Sequence, residues 1–236
     1  MFSGDGAFLV YAAGDAVHRL DLRSGSDEQM GDCPRDCRAA YDQDVTQRAI
    51  GVEDDIVIDS VEGASSTRLP IGAPASGIAW SPDGGSLVFT TERQGRATLE
   101  VVDVGTGETR RLVEPQAGDS LLGTPAWSPD GHQVAFVVRF GPESRSASIS
   151  LQTVTTAGAP LVTDVHPIDR CVCSGYLPAI AWAPDLTRLL VTGPGTAPGS
   201  GGAIWSVGRD GSSWHREAAG TFGDGLAWQP PVTAAQ

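Results

Sequence analysis

One string of residues returns along this chain at near-regular intervals, and it constrains the fold more than any other feature. Ala79-Trp80-Ser81-Pro82-Asp83-Gly84 recurs as Ala126-Trp127-Ser128-Pro129-Asp130-Gly131, and without the glycine as Ala181-Trp182-Ala183-Pro184-Asp185. Fainter copies keep an aromatic with an acid three residues on, at Phe2 and Asp5 and at Tyr41 and Asp44. The last copy, Trp228 and Pro230, keeps the aromatic and the proline. The anchors 2, 41, 80, 127, 182 and 228 stand 39, 39, 47, 55 and 46 residues apart.

The residues after each anchor repeat as well. A β-rich run comes first, as in Phe8-Leu9-Val10-Tyr11, Leu87-Val88-Phe89-Thr90 and Val134-Ala135-Phe136-Val137. A second run then ends in a polar turn with glycine, as in Leu99-Glu100-Val101-Val102-Asp103 to Gly107. A short last run, such as Thr109–Val113, closes the unit. Apolar and polar residues alternate with no helical period, so each unit reads as four short antiparallel strands, here A to D. Ser-Pro-Asp-Gly is a turn: proline pre-sets φ, the aspartate bonds its own backbone, and glycine takes the positive φ after it. That places the string in the A–B hairpin, with the tryptophan packing between neighbouring sheets.

Four-stranded units of this length predict an all-β propeller in one domain over residues 1–236, with blades near 1–32, 33–73, 74–118, 119–168 and 169–221. The first unit lacks strand A, and the segment 222–230 looks like a strand A with nothing after it. The expectation is that this segment completes the first blade and removes an open edge. The alternative is five blades of a six- or seven-bladed parent.

The strings at Ala79–Gly84 and Ala126–Gly131, with the Asp-x-x-Thr/Ser-Gly turns at Asp103–Gly107 and Asp21–Gly25, resemble the propeller repeats of the TolB family. The resemblance covers essentially the whole chain. It implies a non-catalytic binding or scaffold propeller of the bacterial cell envelope or periplasm, with no cofactor. The repeat is also similar to those of prolyl-oligopeptidase-type enzymes. A gating propeller of a multidomain hydrolase, with its catalytic domain elsewhere, is therefore the first alternative. A propeller enzyme such as a polysaccharide lyase is the second, and needs a His/acid metal cluster at the channel.

Composition narrows the chemistry. All 16 basic residues are arginine, so the P-loop lysine, the Schiff-base lysine and the lysine-paired serine are excluded. Neither a Gly-x-Ser-x-Gly nor a His-Glu-x-x-His motif occurs. The formal charge of −13 argues against nucleic acid or an anionic membrane, because phosphates would be repelled. No apolar run approaches a membrane span, and the first residues lack the basic and apolar regions of a signal peptide. Residues 1–62 hold 14 acids against 5 arginines, which reads as a solvated face or as an acidic surface for a cation or basic partner.

Candidate site residues come from the topology. The connections from strand D to the next strand A gather Arg35, Asp36, Arg38, Asp119, Asp169, Arg170 and Asp224 at one mouth of the channel, where a protein partner or small ligand is expected to bind a monomer. Cys33, Cys37, Cys171 and Cys173 fall in the same connections and are candidates for local disulfides, which favours an oxidising compartment. A zinc site is the lesser reading, because the spacing is not that of a zinc ribbon. His18, His132, His166 and His215 show no ligand spacing. The glycine-rich stretch 193–202 reads as a B–C hairpin loop rather than a phosphate cradle. The turn aspartates Asp5, Asp44, Asp83, Asp130 and Asp185, one per blade, are expected to serve their own backbones, and Trp80, Trp127, Trp182 and Trp228 to be structural anchors.

Overall fold

The computed structural model describes residues 3, 7–32, 39–63, 65–141, 148–156, 163–168, 178–194 and 202–220. Its elements are all strands, in five antiparallel sheets. The first sheet is β1 (Phe8–Ala13), β2 (Ala16–Asp21) and β3 (Asp27–Asp32). The second is β4 (Ala40–Tyr41), β5 (Gln47–Val52), β6 (Asp55–Ser60) and β7 (Ser66–Pro70). The third is β8 (Ala75–Trp80), β9 (Ser86–Arg93), β10 (Arg96–Asp103) and β11 (Thr109–Val113). The fourth holds β12 (Ser120–Trp127), β13 (Gln133–Phe140), β14 (Ser148–Thr155) and β15 (Thr163–Ile168). The fifth holds β16 (Ile180–Trp182), β17 (Arg188–Pro194), β18 (Gly202–Gly208) and β19 (His215–Gly220).

Every sheet pairs in chain order, so each is a meander and the five form a β-propeller. The first blade has three strands, β1 to β3, among the described residues. The segment 222–230 and Trp228 lie outside the described residues.

The repeat keeps one register throughout. The amide after each aromatic anchor bonds the carbonyl five residues on: Ser3 to Phe8 at 2.9 Å, Asp42 to Gln47 at 3.1 Å, Ser81 to Ser86 at 2.8 Å, Ser128 to Gln133 at 2.8 Å and Ala183 to Arg188 at 2.9 Å. A second bond ties the A–B turn to the end of strand C in all five blades, from Leu22, Val61, Val104, Thr156 and Arg209 to Ala7, Thr46, Gly85, His132 and Thr187. Among the described residues both turns therefore lie on one rim of the ring, and the B–C turns and D–A connections lie on the other.

Alternation fills the seams between blades. The third blade buries Leu87, Phe89 and Val102 against the second, and turns Val88, Leu99 and Val101 toward the fourth. Four such apolar clusters occupy successive seams from the first blade to the fifth. Each repeat tryptophan among the described residues adds a polar tie across its seam. The indoles of Trp80, Trp127 and Trp182 donate to the carbonyls of Ala40, Ala79 and Ala126 at 3.0, 3.1 and 3.0 Å. Each acceptor immediately precedes the aromatic anchor of the previous blade. The sequence foresaw the packing of these rings but not that each one counts back a single repeat.

Neighbouring blades come close enough to exclude a side chain at Gly51, whose Cβ would stand 2.6 Å from the Ala75 carbonyl oxygen, and at two positions of the inner strands. Gly77 in β8 and Gly123 in β12 take φ of +56° and +69° within bulged stretches of their strands. A Cβ at Gly77 would stand 2.8 Å from the Gly123 carbonyl oxygen, and one at Gly123 would stand 2.1 Å from that of Pro178. Backbone here packs directly on backbone of the next blade.

The A–B turn needs one left-handed residue, whose amide bonds the carbonyl three residues back. Glycine fills it at Gly84 and Gly131, but Val45 and Leu186 fill it with φ of 59° and 62°. Such a conformation costs an L-residue roughly 1–2 kcal/mol. Val45 recovers some of that by burial against Val10 and Val17. Leu186 is only half-buried. Leu186→Gly is therefore expected to stabilise the protein by roughly 0.5–1 kcal/mol, net of the extra freedom glycine gives the unfolded chain. Urea unfolding checks this; a loss of stability would mean that the Leu186 side chain outweighs its strain.

Candidate functional site

On the connection rim, Asp119 is the one member of the expected site within the described residues. One of its carboxylate oxygens accepts the Gly141 amide at 2.9 Å and the other the Gln116 amide at 3.2 Å. It is thus the clasp of its own connection. Arg35, Asp36, Arg38, Asp169, Arg170 and Asp224 lie outside the described residues, as do the four cysteines. Beside Asp119 a groove of about 330 Å³ runs along Val113, Pro115, Val138 and the half-exposed Phe140.

Charge on the opposite rim is held in place by the turns. Asp83 accepts from the Ser81 hydroxyl at 2.6 Å and the Gly85 amide at 3.0 Å. Asp130 repeats this with Ser128 and His132, and Asp185 accepts the amide and hydroxyl of Thr187. In the second blade the expectation fails in detail. Asp44 is exposed, and Asp42, at the serine position of the string, takes the Thr46 and Gln47 amides at 2.7 and 3.0 Å. A buried carboxylate can replace both the serine and the aspartate because the amides to be satisfied are the same two. Asp5 lies outside the described residues. The C–D turns add Asp21, fixed by the Arg23 and Ser24 amides, and Asp103, fixed by the Thr106 amide and hydroxyl.

These donors hold Asp21, Asp83, Asp103, Asp130 and Asp185 below the ordinary carboxylate range. Asp83 is lowered by the Ser81 hydroxyl and then the Gly85 amide, Asp103 by the Thr106 amide and hydroxyl, and Asp185 by the Thr187 amide and hydroxyl. For Asp130 burial pushes upward, and the Ser128 hydroxyl and His132 amide together outweigh it. A carboxylate depressed on folding stabilises above its unfolded value and loses that contribution as pH falls through the folded one. The urea midpoint is accordingly expected to hold level from about pH 7 to 5 and to fall below about pH 4. In an Asp83→Asn/Asp130→Asn variant the fall should be shallower. An equally steep fall would place the acid-sensitive groups elsewhere.

Between the third and fourth blades the turn rim opens into a cleft of about 670 Å³, lined by Asp83, Val101, Asp103, Glu108, Arg110, Trp127 and neighbouring hydroxyl residues. Arg110 spans it, donating to the Thr156 carbonyl at 2.6 Å. Asp83 and Asp103 each use a single oxygen in their turns, and the Glu108 carboxylate has no partner among the described residues. Sequence reading missed this place, because it depends on which turns of successive blades meet.

Elsewhere titratable groups are dispersed. His18 lies on β2, 3.3 Å from Asp27 and stacked on Tyr11, whose hydroxyl donates to the same carboxylate at 2.8 Å. His132 is in the fourth A–B turn, His166 on β15 and His215 at the start of β19. Among the described residues no three His, Cys, Asp or Glu side chains group as metal ligands would. Among the described residues the most deeply buried charge pair is Arg93 with Glu100, joined at 2.7 and 3.0 Å. Arg93 also donates to the Ile71 carbonyl at 2.5 Å, in the connection arriving from the second blade.

No protein-family model matches the sequence. The fold is similar to TolB from Acinetobacter baumannii, with a TM-score of 0.73 at 18% identity over 97% of this chain and 56% of that one. It is also similar to an oligogalacturonate lyase solved with manganese, with a TM-score of 0.59 at 15% identity over 90% of this chain and 59% of that one. Among curated proteins, a 63-residue stretch is 40% identical to the uncharacterized peptidase YuxL of Bacillus subtilis, covering 26% of this chain and 9% of the peptidase. The chain thus spans little more than half of the TolB chain and a small part of the peptidase.

Proposed function

We propose that this chain is a non-catalytic, TolB-like propeller that holds a protein partner on one rim, as a monomer in an extracytoplasmic compartment. The observation that carries this reading is the likeness to TolB over 97% of the chain, in blades whose turn carboxylates are committed to their own backbones rather than gathered for chemistry. The four cysteines in two close pairs support the compartment, since disulfides persist where thiols are oxidised. Within this reading the connection-rim residues Arg35, Asp36, Arg38, Asp169, Arg170 and Asp224 remain candidates for partner contact, and Cys33 with Cys37 for a local disulfide.

Photo-crosslinking tests it. A photoreactive residue at Arg110 reports on the turn rim and one at Phe140 on the connection rim. The expected result is a saturable adduct from one rim, competed by unlabelled protein. Adducts from neither rim, or turnover of a peptide or glycan by the purified chain, would overturn it.

The stretch 40% identical to a peptidase favours one second reading, a gating propeller of a multidomain hydrolase. Labelling the protein in its native source with a serine-reactive fluorophosphonate separates the two. A labelled polypeptide much larger than 24.5 kDa establishes the hydrolase.

A further inference from the structure

We propose that the cleft between the third and fourth blades is a docking pocket for a basic side chain, arginine or lysine, on an extended segment of the partner. This rests on the partner-binding reading above and names the chemistry of its occupant. Acidity alone would not set the place apart, because carboxylates recur around the whole turn rim.

Three further features do. The cleft has volume, about 670 Å³, ample for one long side chain and the backbone that carries it. One wall is Trp127, half-buried, whose indole N–H is already spent on the Ala79 carbonyl, so the ring has only its apolar surface left to offer. An indole beside carboxylates suits a cation, which gains from the ring's electrons as well as from charge. Finally, the resident guanidinium does not neutralise the site. Arg110 is directed to the Thr156 carbonyl, while one oxygen each of Asp83 and Asp103 and both of Glu108 accept no donor among the described residues.

Three carboxylates against one guanidinium leave two negative charges in excess. A guanidinium entering past Glu108 would meet the unused acceptors in a bidentate fashion, the geometry arginine matches best. A carboxylate-bearing ligand would be repelled, which separates this cleft from any site for an acidic polymer.

The test uses the full chain and a nonapeptide carrying two arginines, with the same peptide carrying citrulline in their place, by isothermal titration at low and physiological salt. The arginine peptide is expected to bind, more weakly at higher salt. The citrulline peptide should bind at least tenfold more weakly. Glu108→Gln, on an exposed side chain that supports no turn bond, should lower affinity about fivefold with an unchanged circular dichroism spectrum. Glu62→Gln, a turn-rim carboxylate of the second blade, should leave it unchanged. Equal loss in both variants would mean attraction to net charge, and equal binding of both peptides would remove the cation; either overturns the proposal. Binding of a neutral oligosaccharide that Glu108→Gln weakens, with no peptide binding, would make the cleft a glycan site. If no probe binds while a partner still crosslinks from Phe140, the docking pocket falls and the partner-binding propeller stands. If crosslinking also fails, both fall.

Discussion

Gly123→Ala is expected to lower stability by roughly 3 kcal/mol and the thermal midpoint by about 6–12 °C. Two penalties combine at this position. The left-handed backbone, with φ of +69°, disfavours any side chain. A Cβ would also stand 2.1 Å from the Pro178 carbonyl oxygen, and that oxygen is backbone of the next blade, so no rotamer change relieves it. The two can be separated with Gly95→Ala, where φ is +75° and nothing lies within 4 Å of the added carbon. That variant should show only the conformational cost, roughly 1–2 kcal/mol. Equal losses in both, read from urea unfolding, would mean that the inner strands of the fourth and fifth blades do not approach as described.

Glu100→Ala is expected to cost about 3 kcal/mol, at the lower end for a broken buried ion pair because its partner is partly solvated. The Glu100 side chain is 3% exposed and that of Arg93 is 29% exposed. Glu100 receives both the Arg93 guanidinium and the Thr98 hydroxyl, and Arg93 reaches on to the Ile71 carbonyl. Removing the acid leaves that guanidinium partly buried without its counter-charge. The double variant Arg93→Met/Glu100→Leu should recover much of the loss, since an apolar pair needs no compensation. A double variant as unstable as the single one would show that Arg93 matters chiefly through its hold on the second blade's connection. A chemical-denaturation cycle over the parent, Arg93→Met, Glu100→Leu and the double variant decides this.

Much of the fold was legible because a propeller is written repeat by repeat. The tryptophan, the proline and the turn acid occur together, and the runs between them alternate with period two. Asp42 shows the limit of reading by template. Matching the string placed the turn acid at Asp44, but the amides of Thr46 and Gln47 select whichever side chain is near enough, and that is the residue two positions earlier. Glu100 shows another. An acid inside Leu99-Glu100-Val101 looks like an ordinary outward position, and only the cross-strand pairing with Phe89 reveals that it faces the seam. The candidate site was less legible still. Asp119 was assigned to the channel mouth for its charge, and its oxygens are taken by its own connection.

By itself, then, the sequence determined the architecture: five units on a four-stranded plan in antiparallel meanders, with a tryptophan in each of three seams and no lysine chemistry. These come from local rules, turn geometry and alternation, that act within a few residues. The tertiary structure alone decided which turns meet across a seam, where Gly77 and Gly123 let backbones touch, and where Glu108, Arg110 and Trp127 enclose a cleft. Those relations join residues 17 to 55 positions apart, through the twist and spacing of neighbouring sheets, and no string of neighbours along the chain encodes them.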